Sequence, residues 1–110
     1  MNQNWKYIRF EDVPVTDLGN GFFGSNLVEQ KGLELTFITG EEGAGHDFHS
    51  HQDLNEILIF LDGECVFNLG GKEIDVKEGA MLYIPPGVDH KVRYKKKSSV
   101  LRLKIPWHAD

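Results

Sequence analysis

The sequence predicts an all-β fold, an antiparallel barrel in a single domain, and three observations carry that expectation. Short apolar segments alternate with turn signals along most of the chain, the pattern of many short strands. Twelve glycines are spread over 110 residues, a frequency that suits many tight turns, because glycine alone enters positive φ without cost. Finally, no window of helical length keeps apolar residues at i, i+3, i+4 and i+7 without a glycine or proline interrupting it.

The segments are 33–39, 57–61, 65–69, 74–76, 81–84, 88–94 and 100–105. Between them stand the glycine-rich stretch 40–45 and the pairs Asp62-Gly63, Gly70-Gly71, Glu78-Gly79 and Pro85-Pro86-Gly87. Asp62-Gly63 and Gly70-Gly71 are placed as two-residue hairpin turns between consecutive antiparallel strands. Gly79 is expected to close a third hairpin, and the two prolines with Gly87 a tight turn. Segment 57–61, Ile-Leu-Ile-Phe-Leu, is apolar on both faces, so its outward side needs a cover. A homodimer is the economical cover. The alternative is an N-terminal strand over 5–10, with Trp5, Tyr7, Ile8 and Phe10, packing on the barrel within one chain.

Length and composition narrow the classes. At 110 residues the chain suits one domain, 1–110, with a modest core. Hydrophobic residues at 40% and charged residues at 26% are ordinary globular usage, which excludes a disordered or fibrous chain. A net charge of −5 argues against nucleic acid as a partner, since phosphate binding calls for clustered cations on a basic domain. In the one basic cluster, Lys91, Arg93 and Lys95 to Lys97, the first three alternate with Val92 and Tyr94, and the cluster reads as a solvated strand face and turn. The opening MNQNWKYIRF lacks a signal-peptide core, and no run approaches the ~18 apolar residues that span a bilayer. The single Cys65 cannot form an internal disulfide. It alternates with Phe67 and Leu69 as a small buried hydrophobe. Cytoplasmic localisation without membrane attachment is the expectation.

Chemistry concentrates on the histidines. His49 and His51 are two apart, so on a strand both imidazoles point to one side. Glu56 lies five residues past His51, an odd offset that faces inward only if Gln52 to Asn55 contains a turn or bulge. Leu58 and Phe60 then share its face and wall the pocket, with Ile57, Ile59 and Leu61 outside. Together with His90 these residues offer three imidazoles and a carboxylate, donors suited to one divalent transition metal (Fe, Mn, Co, Ni, Cu or Zn) and poor for calcium or magnesium. His46, Asp47, Asp53 and Asp89 read as solvated, with support of a ligand imidazole as their functional option. Arg102 and Lys104 share one face of their strand and Leu101, Leu103 and Ile105 the other. Exposed charge is the commoner case, but if the charged face lines the barrel, Arg102 suits a substrate carboxylate.

The spacing resembles the cupin family, whose first motif runs Gly, five residues, His-x-His, three or four residues, Glu, six residues, Gly. Gly43, His49, His51, Glu56 and Gly63 fit it without a gap. The second family motif runs Gly, five residues, Pro-x-Gly, two residues, His, three residues, Asn. Gly79, Pro85, Gly87 and His90 fit that pattern, and Tyr94 replaces the final Asn. The motifs cover 43–63 and 79–94, and the flanks have the length of the remaining strands. The resemblance implies a small RmlC-like jelly-roll barrel of six to eight strands, with the metal on His49, His51, Glu56 and His90 in its open end.

Tyr94, four residues past His90 on a strand, faces the same side. It is a candidate for substrate binding or proton transfer, or a tyrosine packed in the core. The family hosts many reactions on one fold. The leading expectation is a metal-dependent enzyme acting on a small oxygen-rich anionic metabolite, by Lewis-acid isomerase or lyase chemistry or as a dioxygenase, with Tyr94 or Glu56 relaying a proton. Leu58, Phe60, Tyr94 and Arg102 are the expected substrate contacts. The alternatives are a small-molecule binding or sensing barrel without turnover, and a barrel whose metal is structural.

Overall fold

A computed structural model describes residues 4–106, so 1–3 and 107–110 of the expected 1–110 domain lie outside the described residues. Ten strands follow a single 3-10 turn at Phe10–Asp12: β1 (Thr16–Gly19), β2 (Phe22–Gln30), β3 (Leu33–Gly40), β4 (Gly45–His49), β5 (Leu54–Asp62), β6 (Glu64–Leu69), β7 (Lys72–Lys77), β8 (Met81–Ile84), β9 (His90–Tyr94) and β10 (Ser98–Pro106). They form two antiparallel sheets, ordered β1-β2-β3-β10-β5-β8 and β4-β9-β6-β7. The all-β jelly roll is therefore observed, with more strands than the six to eight expected.

The additional strands are those without an apolar run. β1 is exposed along its whole length, and the buried positions of β2 are Gly24, Ser25 and Leu27, two of which carry no hydrophobic signal.

Turn chemistry separates into two kinds. Gly70-Gly71 links the paired strands β6 and β7 as expected, with φ of 59° and 99°, both positive as a type I′ hairpin requires. Asp62-Gly63 and Glu78-Gly79 do not close hairpins. Each carries the chain from one sheet to the other, since β5 and β8 belong to the first sheet and β6 and β7 to the second. At Gly63 the backbone passes so close to Ser98 that any Cβ would collide with its Oγ. That hydroxyl in turn accepts the Glu64 N–H at 3.0 Å and donates to the Lys96 carbonyl at 2.9 Å.

Between the sheets lies one core, built from Leu58 and Phe60 of β5, Cys65 and Phe67 of β6, Val92 and Tyr94 of β9, and Val100 of β10. Alternation explains the set, because i and i+2 on each strand point into the same layer. Phe60 and Phe67 meet edge to face across it, ring centroids 5.8 Å apart. Cys65 is part of this packing, and burial pushes its thiol pKa up to about 11, so at neutral pH it is an inert thiol.

The outward face of the larger sheet is also apolar. Phe37, Leu101, Ile59 and Met81 form one row across β3, β10, β5 and β8, and Leu35, Leu103, Ile57 and Tyr83 the next. The N-terminal segment does not cover β5. No strand forms over 5–10, Trp5 and Tyr7 are exposed, and Phe10 stacks instead on Phe37 at 5.0 Å, two strands away. Ile59, Leu61, Met81 and Tyr83 remain exposed.

Candidate metal centre

The site forms where the two sheets part. β9 begins at His90, which is 1% exposed and paired with His49 at the end of β4. Along β9, His90, Val92 and Tyr94 point inward while Lys91 and Arg93 are exposed. The prolines bring this strand to the first motif: the Gly87 N–H donates to the His51 carbonyl at 2.8 Å. That bond ties the two histidine-bearing segments together through backbone alone.

The His-x-His segment is not a regular strand. The pairing of β4 with β9 runs from His46 opposite Val92 to His49 opposite His90. Three steps on one strand thus match two on the other. Such a one-residue bulge reverses the facing of the residues after it, so His46 and His49, which would otherwise face apart, both turn inward. His51 lies beyond the strand end, and bends at Gln52 and Asp53 lead into β5. These bends supply the change of facing that the odd offset to Glu56 requires. Glu56 is 6% exposed and shares the inner face of β5 with Leu58 and Phe60.

One ring nitrogen from each of His49, His51 and His90 lies within 4.8 Å of the others. Glu56 is not part of that mutual cluster; its Oε2 stands 3.4 Å from His51 Nε2. His90 gives the clearest sign of a ligand. Its Nδ1 is 2.9 Å from the Val88 carbonyl, which can only accept, so Nδ1 carries the proton. Nε2 is then a bare lone pair, and it is buried with no hydrogen-bond partner. A buried acceptor without a partner costs about 1–3 kcal/mol, and a cation held between three imidazoles would satisfy it. The donor set and the orphaned nitrogen both fit a divalent transition metal.

Burial favours the neutral form of two rings at the site. His51 has its pKa lowered chiefly by burial, against the opposing pull of Glu56. His46 is lowered for the same first reason, with His49 and His90 adding to the effect.

A cavity of about 260 Å³ opens beside His49, His51 and Glu56. Leu58, Phe60, Tyr94, Arg102 and Lys104 all line it, so the charged face of β10 is the inward one. Tyr94 is held edge-on to Phe22 at 5.1 Å, and its ring lies directly over Gly40, where any Cβ would strike it. Burial raises its phenol pKa far above the usual value, so the hydroxyl keeps its proton and can offer it as a hydrogen bond. His46 also lines the cavity, its ring 4.2 Å from that of His49. The sequence leaves it solvated in the glycine-rich stretch ahead of the ligand strand, with support of a ligand imidazole as its option, and nothing in the residues announces the bulge.

Comparison with known proteins agrees with this geometry. The cupin-domain family model matches residues 36–104. A Saccharolobus solfataricus protein provisionally named a dioxygenase is 32% identical over 74 residues, 67% of this chain and 19% of that one. The uncharacterized protein YdbB of Bacillus subtilis is 35% identical over 72 residues, 64% of this chain and 60% of that one. The chain thus spans less than two thirds of the length of these relatives. Among solved structures, an RmlC-like cupin from Shewanella frigidimarina is similar with a TM-score of 0.85 at 23% identity, covering 100% of this chain and 98% of that one. A predicted oxalate decarboxylase from Thermotoga maritima gives 0.86 at 19% identity, covering 93% and 100%. Motif spacing, barrel and family match converge: this chain belongs to the cupin family.

Proposed function

We propose that the protein is a metal-dependent cupin enzyme acting on a small, oxygen-rich, anionic metabolite, with His49, His51, His90 and Glu56 holding one divalent transition metal. The observation that carries this reading is the buried, unpartnered Nε2 of His90 beside two further imidazoles. When bound, such a metal supplies Lewis acidity toward a carbonyl or hydroxyl, or a site at which dioxygen is activated. The rest falls to the chain's own residues. Leu58 and Phe60 wall the cavity with apolar surface that excludes bulk water, strengthening every charge interaction inside. The Val88 carbonyl fixes the His90 ring. The protonated Tyr94 hydroxyl donates to a developing oxyanion, and the Glu56 carboxylate beside His51 accepts a proton.

The test is metal analysis of protein purified without a nickel column, followed by oxygen uptake and substrate consumption over a panel of small hydroxy and oxo acids. The expected result is one transition metal per chain and turnover of at least one acid. A loaded protein that consumes nothing would be a binding barrel, and a protein that holds no metal would remove the reading altogether.

The same reading includes a homodimer through the larger sheet, supported by the exposed Ile59, Leu61, Met81 and Tyr83. Sedimentation at micromolar concentration should give twice the chain mass, and Ile59→Lys should shift it to the monomer; a wild-type monomer removes the dimer.

A further inference from the structure

β10 brings two cations into the cavity. Arg102 and Lys104 are two residues apart on one strand face and line the same cavity as His46, His49 and His51. Across the ladder Arg102 faces Thr36 and Leu58, and Lys104 faces Glu34 and Glu56. Among the described residues, neither cation takes part in any of the ion pairs. Arg102 Nε is moreover buried with no hydrogen-bond partner.

The identity of that atom is informative. An arginine that approaches an anion side-on uses Nε–H and one terminal N–H as a fork, matching the two oxygens of a carboxylate. Here the buried end of the fork is the unsatisfied one. Arg102 is half-buried as a residue, so the cost falls on the buried Nε–H kept without a partner, and a carboxylate delivered by a ligand would remove it. Charge adds to the argument. With a divalent metal on neutral imidazoles, the single negative charge of Glu56 leaves the cavity with an excess of positive charge, in a space worth about nine liquid waters.

Resting on the reading of the preceding subsection, the geometry points to Arg102, with Lys104 beside it, as a carboxylate-binding subsite. The substrate is then a short-chain carboxylic acid whose second oxygen function reaches toward His49, His51 and His90. Arg102 grips the carboxylate in the plane of its fork, and Lys104, nearer Glu56 along the strand, adds a point charge. Leu58, directly opposite Arg102, supplies the apolar wall for a carbon chain of a few atoms.

Calorimetric titration of lactate, with lactamide as its uncharged counterpart, tests this on the whole protein, both zinc-loaded and metal-free. Lactate should bind and lactamide should bind much more weakly. Arg102→Gln should weaken lactate by about tenfold or more, the loss of a charged hydrogen-bonded contact. Arg102→Lys, which keeps the charge and loses the fork, should recover only part of it, and Lys104→Gln should give a smaller loss. Zinc content and thermal midpoint, measured on each variant, separate a lost subsite from a lost fold or a lost metal. Equal lactate binding by wild type and Arg102→Gln, equal binding of lactate and lactamide, or no lactate binding by the wild type would each overturn the subsite. If zinc fails to bind while lactate still follows Arg102, the subsite stands and the metal reading fails.

Discussion

β9 and β10 carry nearly the same pattern, two cations two residues apart among apolar neighbours, and the fold treats them in opposite ways. On β9, Lys91 and Arg93 are exposed while His90, Val92 and Tyr94 are buried. On β10, Arg102 and Lys104 line the cavity, while Leu101 and Leu103 lie on the outer face between Phe37 and Ile59, and between Leu35 and Ile57. Alternation tells which residues share a face; it does not tell which face is inside. On β9 the question is settled by His90, whose place in the imidazole cluster anchors the register. β10 has no such anchor, and its central position between β3 and β5 gives its leucines apolar company outside the barrel. The preference for burying leucine is met on the wrong side, and the cations take the interior.

The facing on β9 can be broken most severely at its first pair. His90→Ala should abolish metal retention, with content falling from about one ion per chain to near zero, while Lys91→Ala should retain it in full; loss from neither would mean that His90 is not a ligand. A second pair reads facing through stability. Val92→Asp places an unpaired carboxylate in the core and should cost several kcal/mol, whereas Arg93→Asp on the exposed side should stay within about 0.5 kcal/mol. Urea unfolding midpoints decide between them, and similar midpoints would contradict the inward placement of Val92. The smallest expected effect is on pH. The ordinary value of 6.5 for His46 and His51 is lowered in the folded chain by burial, so below it the unfolded chain binds more protons than the folded one. Above pH 6.5 both states are neutral and the term vanishes; as pH falls through 6.5 toward the folded values, metal-free protein should lose stability. A double His46→Asn, His51→Asn variant should show a shallower decline, and an unchanged slope would exclude these rings as its source.

Much of the fold was legible in the residues. The apolar runs marked β3, β5, β6, β7, β8, β9 and β10, and the turn glycines marked their ends. β1 and β2 were illegible because nothing on β1 is buried and two of the three buried positions of β2 are glycine and serine; β4, read only as the strand that carries His49, has no buried position. Glycine signals also overstated hairpins, since positive φ at Gly63 and Gly79 serves equally well to cross between sheets. At the site, the histidine spacing identified the segment, but its geometry rests on a bulge between His46 and His49 that depends on pairing with a strand over forty residues away. The place of His46 in the cavity wall was out of view for that reason. Tyr94 was visible as a departure from the family pattern, and what the fold adds is its clamp between Phe22 and Gly40.

The central place of β10 also sets an order of events in time. As the chain is synthesised, β3 and β5 are made long before the strand that must lie between them, so the larger sheet cannot close until residues 98–106 are available. Pairings over such sequence distances are slow to form, and meanwhile the edges of β3 and β5 stand open to neighbouring chains. The strand that completes the sheet is the one that carries Arg102 and Lys104. Nascent chains shorter than this therefore hold the imidazoles without the cations, and the cavity acquires its positive charge only in the step that makes the barrel whole.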